Sequence, residues 1–248
     1  NNDLNPTYEE FAENTSSADT DWTSTENTEV QFEPDSSVDL AEWNLVWSDE
    51  FGEAVGISPD SSRWEFDIGG DGWGNAEYQF YTDRTENVAT DGDGNLVITA
   101  RRENIPGSSC WYGGCQYSSA RLLTSGRFEQ KYGRIEIRAR IPFGQGIWPA
   151  FWMLGSNIES VGWPDSGEID IIENIGREPS SVHGTVHGPG YSAGEGISGA
   201  FSLPDGGRFS DEFHVFAIEW SPSEIRWFSN GEHYHTVTPT SLPFGAKW

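Results

Sequence analysis

Positive charge is scarce in this chain of 248 residues: 14 Lys+Arg stand against 40 Asp+Glu, a formal net charge of -26. Lys131 and Lys247 are the only lysines. Such a balance repels nucleic-acid phosphates and anionic membrane surfaces, so neither is expected as a partner. Long apolar runs are also missing. None approaches the ~18 residues of a membrane span, and no transmembrane helix is expected. Two cysteines are too few for a structural zinc cluster. No glycine-rich phosphate loop leads into a helix pattern, which argues against a nucleotide enzyme. Apolar residues make up only 35%, so the core must lean on 12 Trp, 14 Phe and 8 Tyr. The length fits one large all-β domain, or one domain plus a tail.

The charge is unevenly spread. Residues 1–62 contain 16 acids and no Lys or Arg, which leaves -10 for the rest. Residues 1–40 are rich in Asn, Thr, Ser, Glu and Asp, repel themselves and bury little. They are expected to form a disordered tail or linker; an acidic arm packed on the domain is the alternative. The domain itself is expected over 41–248. The chain starts at Asn1 with neither a basic nor an apolar leader, so the signal peptide of a secreted protein is expected to have been removed.

From Trp43 the pattern changes. Asn95–Arg101 alternates, and Arg134–Arg140 does so strictly, with Arg134, Glu136, Arg138 and Arg140 opposite Ile135, Ile137 and Ala139. That is the signature of a half-exposed strand. Tyr117–Leu123, Ile147–Leu154, Glu168–Glu173, Val182–His187, Phe213–Trp220 and Glu224–Ser229 read as further strands. Asn230-Gly231 predicts a hairpin into His233–Val237. No sustained 3.6-residue stripe and no internal repeat is visible. The fold class is all-β, an antiparallel sandwich.

The segment Gly167-Glu168-Ile169-Asp170-Ile171-Ile172-Glu173 carries the chemistry. In a regular strand Glu168 and Asp170 share a face and Glu173 points to the other. One extra residue near Ile171-Ile172, a β-bulge, returns Glu173 to their side. Ile169 and one of the following Ile residues then face the core. Glu168 and Glu173 are separated by about 13 Å of backbone, four effective steps of ~3.3 Å. Side chains leaning inward close that to about 5–5.5 Å, the spacing of a retaining glycosidase pair. Asp170 lies between them and can raise the proton affinity of a neighbour by like charge. The alternative is an ordinary acidic solvent face.

Aromatic residues surround these acids. Trp148 and Trp152 fall on one face of the run Ile147–Leu154, and Trp163 precedes Glu168 by five residues. Sugar rings stack their C–H faces on indole, so carboxylates flanked by Trp suit a polysaccharide cleft. A core role for Trp148 and Trp152 is the alternative.

These motifs resemble glycoside hydrolase family 16, nearest its laminarinase-like branch of endo-β-1,3-glucanases. The resemblance rests on Glu168-x-Asp170-x-x-Glu173, Trp148-Pro-Ala-Phe-Trp152-Met-Leu, Trp163-Pro-Asp-Ser-Gly167 and Trp47-Ser-Asp-Glu50-Phe51. Gly74-Asn75-Ala76-Glu77-Tyr78-Gln79, Ser119-Ala120-Arg121-Leu122 and Gly184-Thr-Val-His187-Gly188 add to it. It runs from about Trp43 to the last residue. It implies a β-jelly-roll of two antiparallel sheets with a concave cleft, and a secreted, monomeric enzyme acting on β-glucan without a catalytic cofactor. It implies Glu168 as nucleophile, Glu173 as general acid and base, and Asp170 as the group that tunes the pair. It implies that Asn75, Arg121, Trp148, Trp152, Trp163 and His187 line the cleft. For His187 a structural hydrogen bond beside Gly188 is the alternative, and His183 has less claim. His214, His233 and His235 are expected in solvent.

Relatives often hold a structural calcium. Glu50 and a carbonyl near Gly94 occupy comparable positions, and a third ligand would come from a last strand beyond this sequence. Family members continue for several strands past Phe244–Trp248, so the C-terminal strands are expected to be missing, leaving open sheet edges. The acidic, Lys-poor surface suggests adaptation to high salt. Cys110 and Cys115 bracket Trp-Tyr-Gly-Gly; in a secreted enzyme a disulfide is expected, with free thiols as the alternative. A mixed-linkage β-1,3-1,4-glucanase and a non-catalytic β-glucan-binding module are the competing functions.

Overall fold

Alternating residues of modest apolar content bury one face per strand, and two such faces close a core in a computed structural model that describes residues 43–243. The expected tail over 1–40 and the end run Phe244–Trp248 lie outside the described residues. The strands are β1 (Glu65–Asp67), β2 (Gln79–Tyr81), β3 (Val88–Thr90), β4 (Leu96–Ile98), β5 (Arg101–Arg102), β6 (Tyr117–Ser119), β7 (Arg121–Leu123) and β8 (Gly133–Ala139). They continue with β9 (Ala150–Leu154), β10 (Glu168–Glu173), β11 (Ser181–His187), β12 (Ile197–Ser202), β13 (His214–Trp220), β14 (Ile225–Ser229) and β15 (Glu232–Val237). One four-residue helix, α1 (Ile158–Val161), joins β9 to β10.

Two four-stranded antiparallel sheets carry the fold, in the orders β12-β11-β10-β9 and β15-β14-β13-β8. Short ladders β1-β7, β3-β4 and β2-β6-β5 complete it, and β2 runs parallel to β6. Ile169, Ile171, Val182 and Val186 of the first sheet pack on Phe216, Ile218, Ile225 and Trp227 of the second. Each of these is under about a tenth exposed, and removal of their apolar area from water drives the sandwich together. The architecture is a jelly roll.

The alternation of Arg134–Arg140 is realised in β8. Ile135, Ile137 and Ala139 face the core. Arg134 reaches Glu219 of β13 (3.1 Å) and Glu136 (2.8 Å), and Arg226 of β14 reaches the same Glu219 (3.2 Å), tying three strands on the outer face. Asn230-Gly231 forms the hairpin between β14 and β15, with φ of 50° and 81°.

Three local readings need correction. Tyr117–Leu123 is not one strand: it breaks at buried Ala120, and its halves join different ladders. The run Ile147–Leu154 becomes a strand only from Ala150, so Trp148 lies in the preceding loop, where Pro149 withholds a ladder N–H. His214 is not in solvent. It is 3% exposed in β13, with Phe209 at 4.8 Å and Asn230 at 2.9 Å. His235 is partly covered, with its ring 4.9 Å from Trp227, because the β14-β15 ladder sets the two residues opposite each other.

Candidate active site

The bulge in β10 organises the site. Toward β11, Glu168 lies opposite His187 and Asp170 opposite Thr185, and then the register slips so that Glu173 lies opposite His183. Toward β9 the same slip falls between Asp170 and Ile172. The extra residue puts Glu168, Asp170 and Glu173 on one face. Both Ile171 and Ile172, and not one of them, are buried in the core, since the irregular backbone turns two successive side chains inward. The Asp170 carbonyl is also gripped from across the core. Trp227 of the opposite sheet donates its indole N–H to that oxygen at 2.8 Å, which satisfies a buried acceptor. Gly184 makes this possible: a Cβ there would stand 2.2 Å from Trp227 Cδ1.

The acids are deeply set. Asp170 is 2% exposed, and its Oδ2 lies 3.2 Å from His187 Nε2. Trp163 donates its indole N–H to Glu168 Oε2 at 2.5 Å, and Trp148 donates to Glu173 Oε1 at 3.1 Å. Both indoles are about half exposed, so each presents a ring to solvent while its N–H holds a carboxylate. Burial raises all three carboxyls. Glu168 is pushed up to about 7 by burial and by the charge of Asp170, with which it shares a hydrogen bond. Asp170 is raised to about 7 by burial and by Glu173. Glu173 is raised by burial, against the favourable influence of His187, Trp148 and His183 on its anion.

Other sequence candidates fall into two groups. Trp152 of β9 lies opposite Asp170 and carries the Arg121 guanidinium over its ring at 4.6 Å. The same guanidinium covers Trp73 at 4.9 Å and pairs with Asp67 at 2.9 Å. Arg121 therefore clamps two indoles. Asn75 is exposed, with its amide 3.5 Å from Glu77, whose carboxylate accepts from Tyr81 at 2.9 Å. No contact joins Asn75 to the three acids among the described residues.

His183 is more central than the sequence suggested. It faces Glu173 across the ladder, and its buried Nε2 makes no hydrogen bond among the described residues. The alternation His183-x-Thr185-x-His187 was the available signal. Gly196 was missed: a Cβ there would meet His187 at 2.3 Å, so only glycine leaves room for the imidazole.

Glu168, Asp170 and His187 are the described residues whose donor atoms gather closely enough to hold a metal, within 4.8 Å of one another. Their direct contacts are those of a proton-sharing group. Elsewhere the Glu50 carbonyl oxygen lies beside Gly94, 3.6 Å from where a Cβ would stand, so the two expected calcium-site positions are adjacent. Cys110 and Cys115 form the expected disulfide, with Cα atoms 5.2 Å apart. No helix of the described residues is long and apolar enough to cross a membrane.

Three carboxyls on one face of a jelly-roll sheet, two of them held by indoles from adjoining loops, define a β-sandwich with an acidic, indole-flanked site. The chain belongs to the glycosyl hydrolases family 16, whose model matches residues 75–246. It is 47% identical over 197 residues to a beta-glucanase of Rhodothermus marinus, covering 78% of this chain and 65% of that one. It is 38% identical over 210 residues to the glucan endo-1,3-beta-glucosidase A1 of Niallia circulans, covering 80% and 30%. The chain thus spans less than two thirds of either curated relative. Among solved structures, the catalytic domain of an endo-1,3-beta-glucanase (laminarinase) from Thermotoga petrophila RKU-1 superposes with a TM-score of 0.76 at 48% identity, over 84% of this chain and 82% of that one.

Proposed function

We propose that this protein hydrolyses internal β-1,3-glucosidic bonds of β-glucans such as laminarin, with retention of configuration. The observation that carries the reading is the bulge that sets Glu168 and Glu173 on one face with an indole donor on each. Glu168 is the nucleophile. Asp170 keeps one oxygen against His187 and shares a hydrogen bond with Glu168 that, with its charge, raises the proton affinity of Glu168. Trp163 donates to Glu168 and favours the carboxylate that attacks the anomeric carbon. Glu173, whose proton affinity is raised by burial, protonates the leaving oxygen and then takes a proton from the water that cleaves the glycosyl–enzyme ester. Trp148, Trp152 and Trp163 provide ring faces for sugars, and Asn75 donates to hydroxyls further along the cleft.

Several features complete the proposal. The enzyme is extracellular, because its polymer substrate does not cross membranes, and it acts as a monomer. The Glu50 carbonyl and the backbone at Gly94 would hold a structural calcium, and a chelator would then lower the melting temperature. The decisive experiment follows laminarin hydrolysis by proton NMR. The β-anomer of the new reducing end forms first, and Glu168→Gln retains binding without turnover. An α-anomer formed first, or turnover retained by Glu168→Gln, defeats the assignment.

A further inference from the structure

The disulfide loop holds aromatic surface that the active site does not use. Trp111 and Tyr78 are 50% and 56% exposed, as open as the indoles beside the acids. They form a triad with Tyr112, with ring centroids 4.9–5.7 Å apart. The triad is held rigidly. Trp111 donates its backbone N–H to Gly70 (2.8 Å) and its indole N–H to the Glu77 carbonyl (2.8 Å). The Tyr112 hydroxyl donates to the Tyr78 carbonyl at 2.7 Å. The Cys110–Cys115 bond closes the loop behind them. Gly70 and Gly72 leave the room required: a Cβ on the first would meet Cys110 Sγ at 2.5 Å, and one on the second Trp111 Cδ1 at 2.9 Å. With the polar handles of Trp111 and Tyr112 taken up by backbone carbonyls, what they offer to solvent is ring surface. A rigid ring stacks on a sugar without losing side-chain freedom.

Beside this surface lies a cavity of about 420 Å³, lined by Ile68, Asp71, Trp73, Phe80, Ser109 and Trp111. That volume suits a small-molecule site, and its lining combines two indoles with a carboxylate and a hydroxyl that can accept from sugar hydroxyls. Trp73 links the cavity to the acids, since Arg121 stacks on both Trp73 and Trp152, and Trp152 neighbours Asp170. We propose that the Cys110–Cys115 loop builds a distal sugar platform, in which Trp73 and Trp111 hold a glucosyl unit of the same β-glucan chain that is cut at Glu168 and Glu173. The occupant follows from this continuity, and the proposal rests on the active-site reading above. The platform makes the enzyme favour long chains, which reach it, over short ones, which do not.

The test uses Trp111→Ala and Tyr78→Ala, neither of which touches the acids. Each is compared with the wild type on laminarioligosaccharides of increasing length and on laminarin, with melting temperatures measured alongside. Sedimentation with insoluble curdlan is measured in the Glu168→Gln background. The expected result is a loss on the order of 3–10-fold in kcat/KM on laminarin and in curdlan binding, with turnover of the shortest cleaved oligosaccharide unchanged. Equal losses at every length, or no loss at any, overturn the platform while leaving the active site standing. A wild type that cleaves no β-glucan overturns the active-site reading. If it still binds curdlan through Trp111, the platform survives alone; if it does not, both fall.

Discussion

At the scale of single residues, the site is governed by three carboxyls that cannot all ionise in a dry wall of one sheet. Glu168 and Asp170 are raised to about 7 from ordinary values of 4.5 and 3.8. Their neutral forms are therefore the ones folding favours. This contribution is complete below about pH 4 and is lost as pH rises through 7. Glu168→Gln removes the ionisation cost, so we expect it to stabilise the protein by about 1–3 kcal/mol at pH 8 and by less at pH 5, in thermal melts at both pH values. The same change lowers kcat on the order of 10³-fold or more. Asp170→Asn removes the like charge that helps raise Glu168. The acid limb of its kcat/KM profile moves down by about one pH unit. A limb that stays in place or moves up shows that Asp170 does not set the proton affinity of Glu168.

At the scale of elements, β10 brings Glu173 to the face of Glu168 and Asp170 because it is irregular. Deleting Ile172 removes the extra residue and restores regular alternation, which leaves Glu173 on the face of Glu168 and Asp170, so laminarin turnover is expected to survive the deletion, and its complete loss in a variant that still melts cooperatively shows that the bulge itself is required. The bulge also needs its clasp from the other sheet. Trp227→Phe removes the indole donor from the buried Asp170 carbonyl and costs about 1–3 kcal/mol in denaturant unfolding. Gly184→Ala pushes a methyl group into the Trp227 ring and destabilises by a similar or larger amount. Unchanged unfolding midpoints in both variants would show that the sheets do not depend on this contact. The hairpin at Asn230-Gly231 and the alternating β8 were legible, because each follows from a local rule of turn geometry or two-residue period. The break at Ala120 was not legible, since which ladder takes each half is decided by distant partners.

At the scale of the whole molecule, a net charge of -26 means that the folded chain repels itself. Salt screens that repulsion, and the Debye length falls to roughly 3 Å at 1 M. The melting temperature is therefore expected to rise steadily from low salt to about 1 M sodium chloride. A flat dependence shows that the acidic surface is not matched to salt. Sodium chloride and an impermeant osmolyte compared at equal osmolality separate screening from exclusion effects.

The sequence by itself determined the fold class, the bulged strand and the three acids, because a two-residue period and a single inserted residue are local facts that dictate which face a side chain takes. It also named the indoles that hold the carboxylates. Tertiary structure alone decided that Trp148 leaves its strand to reach Glu173, that His183 faces Glu173, that Arg121 is spent clamping two indoles, and that Trp227 satisfies the bulge from the opposite sheet. Each of these depends on which residues distant in the chain meet across a sheet or between sheets, and periodicity carries no information about that.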